Sequence, residues 1–243
     1  MPELTIASFN VHWGGLRPNG EPFDVVRACR TLDADILVLQ EVWWPTDRPG
    51  FIEELAADHY AMHALHEHPL ARDIERRGPK AGRDGTGDWG VAVFTRYPVL
   101  TSQDLELGDV PGDLTKNRTA LHLQLNVDGA PLDLVAMHLS ANVIYGPSLQ
   151  LRRVRPQLPT DRPTVIVGDL NLGPRGVALM LGPWREAVTG PTWPVPRQFV
   201  QLDHILVSSD IDVVQGEVCD DLGSDHRPIR ARVRFGDSVI RSS

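Results

Sequence analysis

Four short polar clusters hold the side chains best suited to chemistry. Asn10 closes Ser8-Phe9-Asn10, and Glu41 follows Gln40. Asp169 and Asn171 stand in Gly168-Asp169-Leu170-Asn171, and Asp225 and His226 in Ser224-Asp225-His226. Glu41 and Asp225 are hard oxygen donors, as is the amide oxygen of Asn10. Magnesium selects such donors and keeps several waters, so one or two carboxylates suffice. Asp169 could hold and deprotonate a water. Asn171 offers N–H donors to a developing negative charge, and His226 could bond a phosphoryl oxygen or shuttle a proton. Together they suit water attacking phosphorus. Acyl transfer fits less well, because no Ser or Cys nucleophile motif is present. Each group also has a purely structural reading. Glu41 could be a plain strand-end carboxylate beside Trp43 and Trp44, and Asp169, Asn171 and Asp225 could simply make turn hydrogen bonds.

The elements that must position these groups are short. Leu4 to Phe9 alternates and ends at Asn10, and Asp35 to Gln40 reads as a buried strand. Further strands are expected at Gly90–Phe94, Ala120–Val127, Leu132–Met137, Thr164–Val167, Ile205–Val207 and Ile229–Phe235. Asp128-Gly129 joins two of them as a hairpin turn. Helices are expected at Phe23–Leu32, with Asp24 at its start, at Phe51–Ala57, at Ser148–Leu158 with Pro156 interrupting, and at Gly176–Leu181. Many strands with interspersed helices suggest two packed sheets flanked by helices. Periodicity alone leaves a doubly wound parallel sheet open. The polar clusters sit at strand ends, where one edge of a sandwich can bring several strands to a common point.

Bulk properties set limits. The 243 residues are 42% hydrophobic and 23% charged, with 21 Gly and 20 Pro falling between short apolar runs. No repeat or long linker divides the chain, so one domain, 1–243, is expected. No apolar run approaches the roughly 20 residues that span a bilayer, and the N-terminal residues carry no signal-peptide pattern. Cys29 and Cys219 lack metal or redox spacing and read as buried reduced thiols, which points to a cytoplasmic location. The net charge of −8 disfavours nonspecific binding of polyanions. A bound divalent cation can reverse that sign locally.

In order and spacing, Gln40-Glu41, Gly168-Asp169-Leu170-Asn171, Gln201-Leu202-Asp203-His204-Ile205 and Ser224-Asp225-His226 resemble the endonuclease/exonuclease/phosphatase superfamily. The resemblance runs from Asn10 to the strand after His226. It implies an α/β fold, a four-layered sandwich of two mixed β-sheets flanked by helices. It implies a magnesium-dependent phosphoester hydrolase, with manganese as a substitute ion. Asn10, Glu41 and Asp225 resemble the metal-site residues, with Glu41 the principal ligand. His138 resembles the strand-end histidine of the deoxyribonuclease and sphingomyelinase branches, which bonds a phosphate oxygen. Asp169 and Asn171 resemble the pair that handles the attacking water and the transition state. Asp203 resembles the carboxylate that orients the last histidine, His226, on the scissile phosphate. Two departures set the chain apart from abasic endonucleases: His12 stands where they carry Asp, and His138 where they use Tyr.

A phosphodiester is the expected substrate and nucleic acid an expected partner, with the chain acting as a monomer. A lipid or small-molecule phosphodiesterase or phosphatase, or a non-catalytic binding module, are the alternatives. Arg118 pairs with the carboxylate cluster or lies on the surface. His204 is expected on the face opposite Asp203. His63, His66 and His68 match no zinc spacing. Arg72 to Asp88 reads as a solvated basic and glycine-rich loop. One or two of Trp13, Trp43, Trp44, Trp89 and Trp193 are expected near the site, Trp193 first.

Overall fold

The structure, a computed structural model, describes residues 1–45, 49–58, 61–65, 87–113, 115–116 and 118–236, with backbone alone for 61–65 and 87–88. His66, His68 and the loop 72–86 lie outside the described residues, as does the side chain of His63. Two six-stranded sheets form the centre. The first contains β1 (Glu3–Asn10), β2 (Ile36–Pro45), β3 (Ala61–Leu65), β4 (Gly87–Thr95), β11 (Ile211–Val218) and β12 (Ile229–Phe235), in the order β11-β12-β1-β2-β4-β3. The second contains β5 (Val99–Glu106), β6 (Thr119–Val127), β7 (Ala130–His138), β8 (Thr164–Asp169), β9 (Arg185–Glu186) and β10 (Asp203–Val207), in the order β5-β6-β7-β8-β10-β9. Each is mixed. A parallel pair, β1 with β2 and β7 with β8, sits at the centre of an otherwise antiparallel sheet.

Three apolar layers stack these sheets. Inward-facing residues such as Leu4, Ile6, Val38, Leu134, Val167 and Ile205 fill the space between the sheets. Outward residues of the first sheet, such as Phe9, Leu37 and Phe94, pack on α2 (Val25–Leu32) and α3 (Phe51–Ala56). Those of the second sheet, such as Val135, Ile166 and Leu206, pack on α4 (Gly146–Val154) and α5 (Pro174–Leu181). Burying one such side chain contributes roughly 1.5–3 kcal/mol. The four-layered sandwich expected from the sequence is what forms; a doubly wound sheet is excluded by the two separate sheets.

Local chemistry sets the element limits. Asp24 accepts from the Arg27 N–H at 2.9 Å, which caps α2 two residues after the expected start. Pro156 falls in a 3-10 turn, Arg155–Gln157, so α4 stops at Val154. At the hairpin, Val127 pairs with Ala130 while Asp128 and Gly129 take φ of 52° and 93°, both left-handed.

The decisive feature is how the inward faces end. Period-2 alternation carries Leu4, Ile6, Ser8 and Asn10 along one side of β1. The matching series are Ile36, Val38 and Gln40 on β2; Leu134, Ala136 and His138 on β7; and Val165, Val167 and Asp169 on β8. Toward the same end of the sandwich each series turns from apolar to polar. Asp203 opens β10 opposite Asp169, which itself stands beside His138. One register row thus sets His138, Asp169 and Asp203 side by side on three adjacent strands.

Candidate active site

A bulge supplies the group that alternation alone does not aim. Leu39 pairs with Ala92 and Val42 with Gly90, so Gln40 and Glu41 together stand opposite Val91. Glu41 has φ 57°, a left-handed conformation costly for a non-glycine residue. Its carboxylate is fixed from two sides. The Trp13 N–H donates to Oε2 at 2.7 Å, and Asn10 Nδ2 donates to Oε1 at 3.3 Å. The Trp13 donor lies in α1 (His12–Gly15), where His12, Trp13 and Gly14 all have positive φ, of 41°, 53° and 72°. Only glycine fits at position 14, where a Cβ would lie 2.6 Å from that of Trp43.

Asn10, fully buried, links the two sheets. Its Nδ2 also donates to Asp169 Oδ2 at 3.0 Å, while its Oδ1 accepts from the His12 N–H at 2.9 Å. Its oxygen therefore faces the α1 backbone, and its nitrogen faces the carboxylates. Asp169 Oδ1 accepts from the Asn171 N–H at 2.9 Å. Asn171 (φ 47°) spends one amide N–H on the Leu139 carbonyl at 3.1 Å. Gly168, just before, is required: with φ 142°, a Cβ there would lie 1.9 Å from the Met137 carbonyl oxygen.

Two imidazoles flank the same carboxylate oxygen. His138 Nε2 lies 3.7 Å and His226 Nε2 3.8 Å from Asp169 Oδ2. Both distances are too long for direct hydrogen bonds. His226 Nδ1 meets Asp203 Oδ2 at 2.8 Å, which fixes its tautomer and aims Nε2 at Asp169. Burial alone would push the His226 pKa down. The carboxylates of Asp203 and Asp169 outweigh it and raise the pKa to about 10. Burial pushes Asp169 up to about 7, against the lowering influence of His226; Asp203 adds to the rise, while the bonds from Asn171 and Asn10 oppose it. A carboxylate so placed accepts a proton near neutral pH, and the imidazolium beside it is an acid or anion contact.

Asp225 lies at the rim, with Trp193 Nε1 at 3.3 Å from its Oδ2, Ser224 Oγ at 3.4 Å from its Oδ1 and His12 Nε2 at 3.8 Å. The structure therefore gathers Asn10, Glu41, His138, Asp169, Asn171, Asp203, Asp225 and His226 about one edge of the sandwich. Trp13 and Trp193, two of the tryptophans expected near the site, join them, as does His12; Ser224 and Thr192 join them without having been expected there. Ser224 Oγ donates to the Asn10 carbonyl at 2.6 Å and accepts from the His226 N–H at 3.2 Å. Thr192 Oγ1 accepts from the Leu202 and Asp203 N–H groups at 3.1 and 3.3 Å. Ser224 stands in the Ser224-Asp225-His226 motif and Thr192 directly before Trp193, but a hydroxyl bonded to backbone leaves no pattern of its own.

Arg118 is not on the surface. It is 5% exposed, donates from NH1 to the His138 carbonyl at 3.1 Å and lies 3.8 Å from Asp113 Oδ2. Burial lowers its pKa against the attraction of Asp113, Glu41 and Asp169. His204 does take the opposite face, fully buried between Glu186 Oε1 at 2.7 Å and the Leu172 carbonyl at 2.9 Å. Cys29 is a buried free thiol; Cys219 is free but only partly buried, a correction to the sequence reading.

A divalent cation fits the donor set at two places. Each Glu41 oxygen accepts one bond and retains lone-pair capacity for a hard cation. Asp169, Asp203 and His226 also offer ligand atoms within 4.8 Å of one another, so this cluster could hold a metal. Asp203 Oδ1 is buried there without a hydrogen-bond partner. The Glu41 side suits magnesium better, because it offers oxygen alone, whereas His226 Nδ1 is committed to Asp203.

Two mixed sheets thus bring imidazole, amide and carboxylate groups together at one edge of the sandwich. The match to the endonuclease/exonuclease/phosphatase family model spans residues 7–226, and the chain belongs to that family. Members are generally phosphoester hydrolases that depend on divalent metals. Among solved structures, an endonuclease/exonuclease/phosphatase from Beutenbergia cavernae DSM 12333 is 24% identical, with TM-score 0.76 over 97% of this chain and 72% of that one. The human Nocturnin catalytic domain with bound sulfate is 18% identical, with TM-score 0.73 over 97% and 95%. A mannosyl-6-phosphatase from Bacteroides thetaiotaomicron VPI-5482 is 17% identical, with TM-score 0.69 over 96% and 100%. These likenesses establish the fold. No curated protein matches the chain. Among the described residues, no helix is long and apolar enough to cross a membrane.

Proposed function

We propose that this chain is a magnesium-dependent phosphodiesterase that directs water at phosphorus, with nucleic acid as the leading substrate class. The observation that carries this is the placement of Asp169 Oδ2 between two imidazole Nε2 atoms while Asn10 ties the same oxygen to Glu41. Glu41 would hold the cation, with Asp225 as the second carboxylate; manganese could replace magnesium. When bound, the cation supplies charge for the phosphoryl oxygens and lowers the pKa of water.

The residues of the chain do the rest. Asp169 orients the attacking water and takes its proton. His226, held as imidazolium by Asp203, donates from Nε2 to a phosphoryl oxygen. His138 Nε2 offers a second donor, and the remaining amide N–H of Asn171 a third. Asn10 keeps Glu41 and Asp169 at fixed separation. The free thiols at Cys29 and Cys219 support a reducing, cytoplasmic setting.

The test is turnover of bis(p-nitrophenyl) phosphate and nicking of supercoiled plasmid, with magnesium, with chelator and with Glu41→Ala. Metal-dependent turnover of both, lost in the variant, is expected. Turnover of the small diester without nicking would move the substrate to small or lipid diesters. Inactivity on both would defeat the diesterase reading in favour of phosphomonoesters or a binding module.

A further inference from the structure

The loop between β9 and β10 carries an aromatic pair that the hydrolytic chemistry does not use. Thr192 and Trp193 both donate backbone N–H groups to the Val200 carbonyl, and the Phe199 and Val200 N–H groups donate back to the Trp193 carbonyl. The loop is closed at its base by these bonds, and the Val195 N–H donates to the Asp225 carbonyl at 2.8 Å. The Trp193 ring is held by its Nε1 bond to Asp225 and lies 6.4 Å from the His226 ring. Phe199 meets Trp193 edge-on at 6.1 Å and is 76% exposed. An aromatic ring usually goes inside; here one is braced against the site wall and presented to solvent.

We infer that Phe199, backed by Trp193, is a stacking platform for a nucleobase attached to the phosphate that His226 contacts. This rests on the phosphoesterase reading and names its substrate class. Two ring-to-ring steps separate Phe199 from His226, which suits the run from a base through its sugar to phosphorus. Stacking needs no positive field, so it gives an acidic chain of net charge −8 a way to hold a nucleotide that phosphate attraction does not supply. It also tolerates any base, because each has a π-face. A lipid chain is disfavoured, since one exposed ring beside polar Gln198 and Arg197 covers little of an acyl chain.

The experiment is calorimetric titration with adenosine 5′-monophosphate, with ribose 5-phosphate and, as a lipid probe, with octyl phosphate, in magnesium, in an Asp169→Asn background that prevents turnover. Ribose 5-phosphate keeps the sugar and the phosphate and carries a hydroxyl group in place of the base. The parent should bind the nucleotide at least about fivefold more tightly, the low end for one stacked base. Phe199→Ala should bring the ratio to about one with ribose 5-phosphate affinity unchanged, and Phe199→Tyr should restore it. Phe199 is exposed, so the substitutions leave the core intact. Equal affinities in the parent, a ratio that survives Phe199→Ala, binding of neither ligand, or stronger binding of octyl phosphate would each overturn the platform. Turnover of bis(p-nitrophenyl) phosphate by the wild-type chain separates the two claims: equal affinities with turnover intact defeat the platform alone, whereas a base preference without turnover defeats the diesterase reading alone.

Discussion

Replacing Asp203 by Asn removes one charge and leaves the shape. An Asn oxygen can still accept from His226 Nδ1, so the imidazole should keep its place 2.8 Å away. What goes is the carboxylate that first outweighs burial in holding the His226 pKa near 10. A hydrogen bond to a charged group is worth ~1.5–3 kcal/mol, which moves the His226 pKa down by about one to two pH units. Asp203 also raises the Asp169 pKa, so that value falls too. The wild-type rate should climb as Asp169 loses its proton near pH 7 and decline as His226 loses its proton near pH 10. In Asp203→Asn both limbs should shift toward acid, the alkaline one by about one to two units. Stability should follow with a definite sign. His226 has a folded pKa above its ordinary 6.5, so it contributes stability that is fully present below pH 6.5 and lost as the pH rises toward 10. The variant should lose much of that contribution, which urea denaturation below pH 6.5, where it is fully present, should show. The assay is kcat/KM against pH for bis(p-nitrophenyl) phosphate at constant ionic strength. An alkaline limb that does not move in Asp203→Asn would refute the coupling of these two groups.

Further outcomes follow from the same geometry. Gly168→Ala places a methyl group 1.9 Å from the Met137 carbonyl oxygen at a left-handed φ, and should cost about 4 kcal/mol or more in a denaturant titration. Glu41→Gln should weaken magnesium binding by at least about tenfold in calorimetry, since a hard cation loses its principal charge. Asp113→Asn leaves the buried Arg118 guanidinium without its nearest carboxylate and should destabilise by about 3 kcal/mol, read from the thermal midpoint.

Much of the site was legible because four polar motifs stand at strand ends in a familiar order, and alternation aims their side chains. Once Leu4, Ile6 and Ser8 define the inner side of β1, Asn10 must share it, and the same logic aims His138 and Asp169. The Glu41 carboxylate was harder. A strict two-residue period carried on from Gln40 would turn it to the helix side, and the bulge opposite Val91 has no marker such as glycine. All four edge strands, β3, β5, β9 and β11, lay outside the expected set. Edge strands bond on one side only; β5 exposes most of its side chains and β11 half of them, so neither shows an apolar alternation. The burial of Arg118 could not be read from Arg118-Thr119-Ala120, because its partner Asp113 lies in a loop. The placement of His12 beside Asp225 could not be read from its neighbours, because a left-handed turn at a non-glycine residue leaves no pattern to find.

The central claim is that water held by Asp169 attacks phosphorus. Single-turnover hydrolysis of bis(p-nitrophenyl) phosphate in 18O-water, by wild type and Asp169→Asn with magnesium, tests it most directly. The account predicts one 18O in the p-nitrophenyl phosphate product, none in p-nitrophenol, and a rate at least about 100-fold lower in the variant, as expected for loss of a general base. Label in p-nitrophenol, or an undiminished rate in Asp169→Asn, would contradict it.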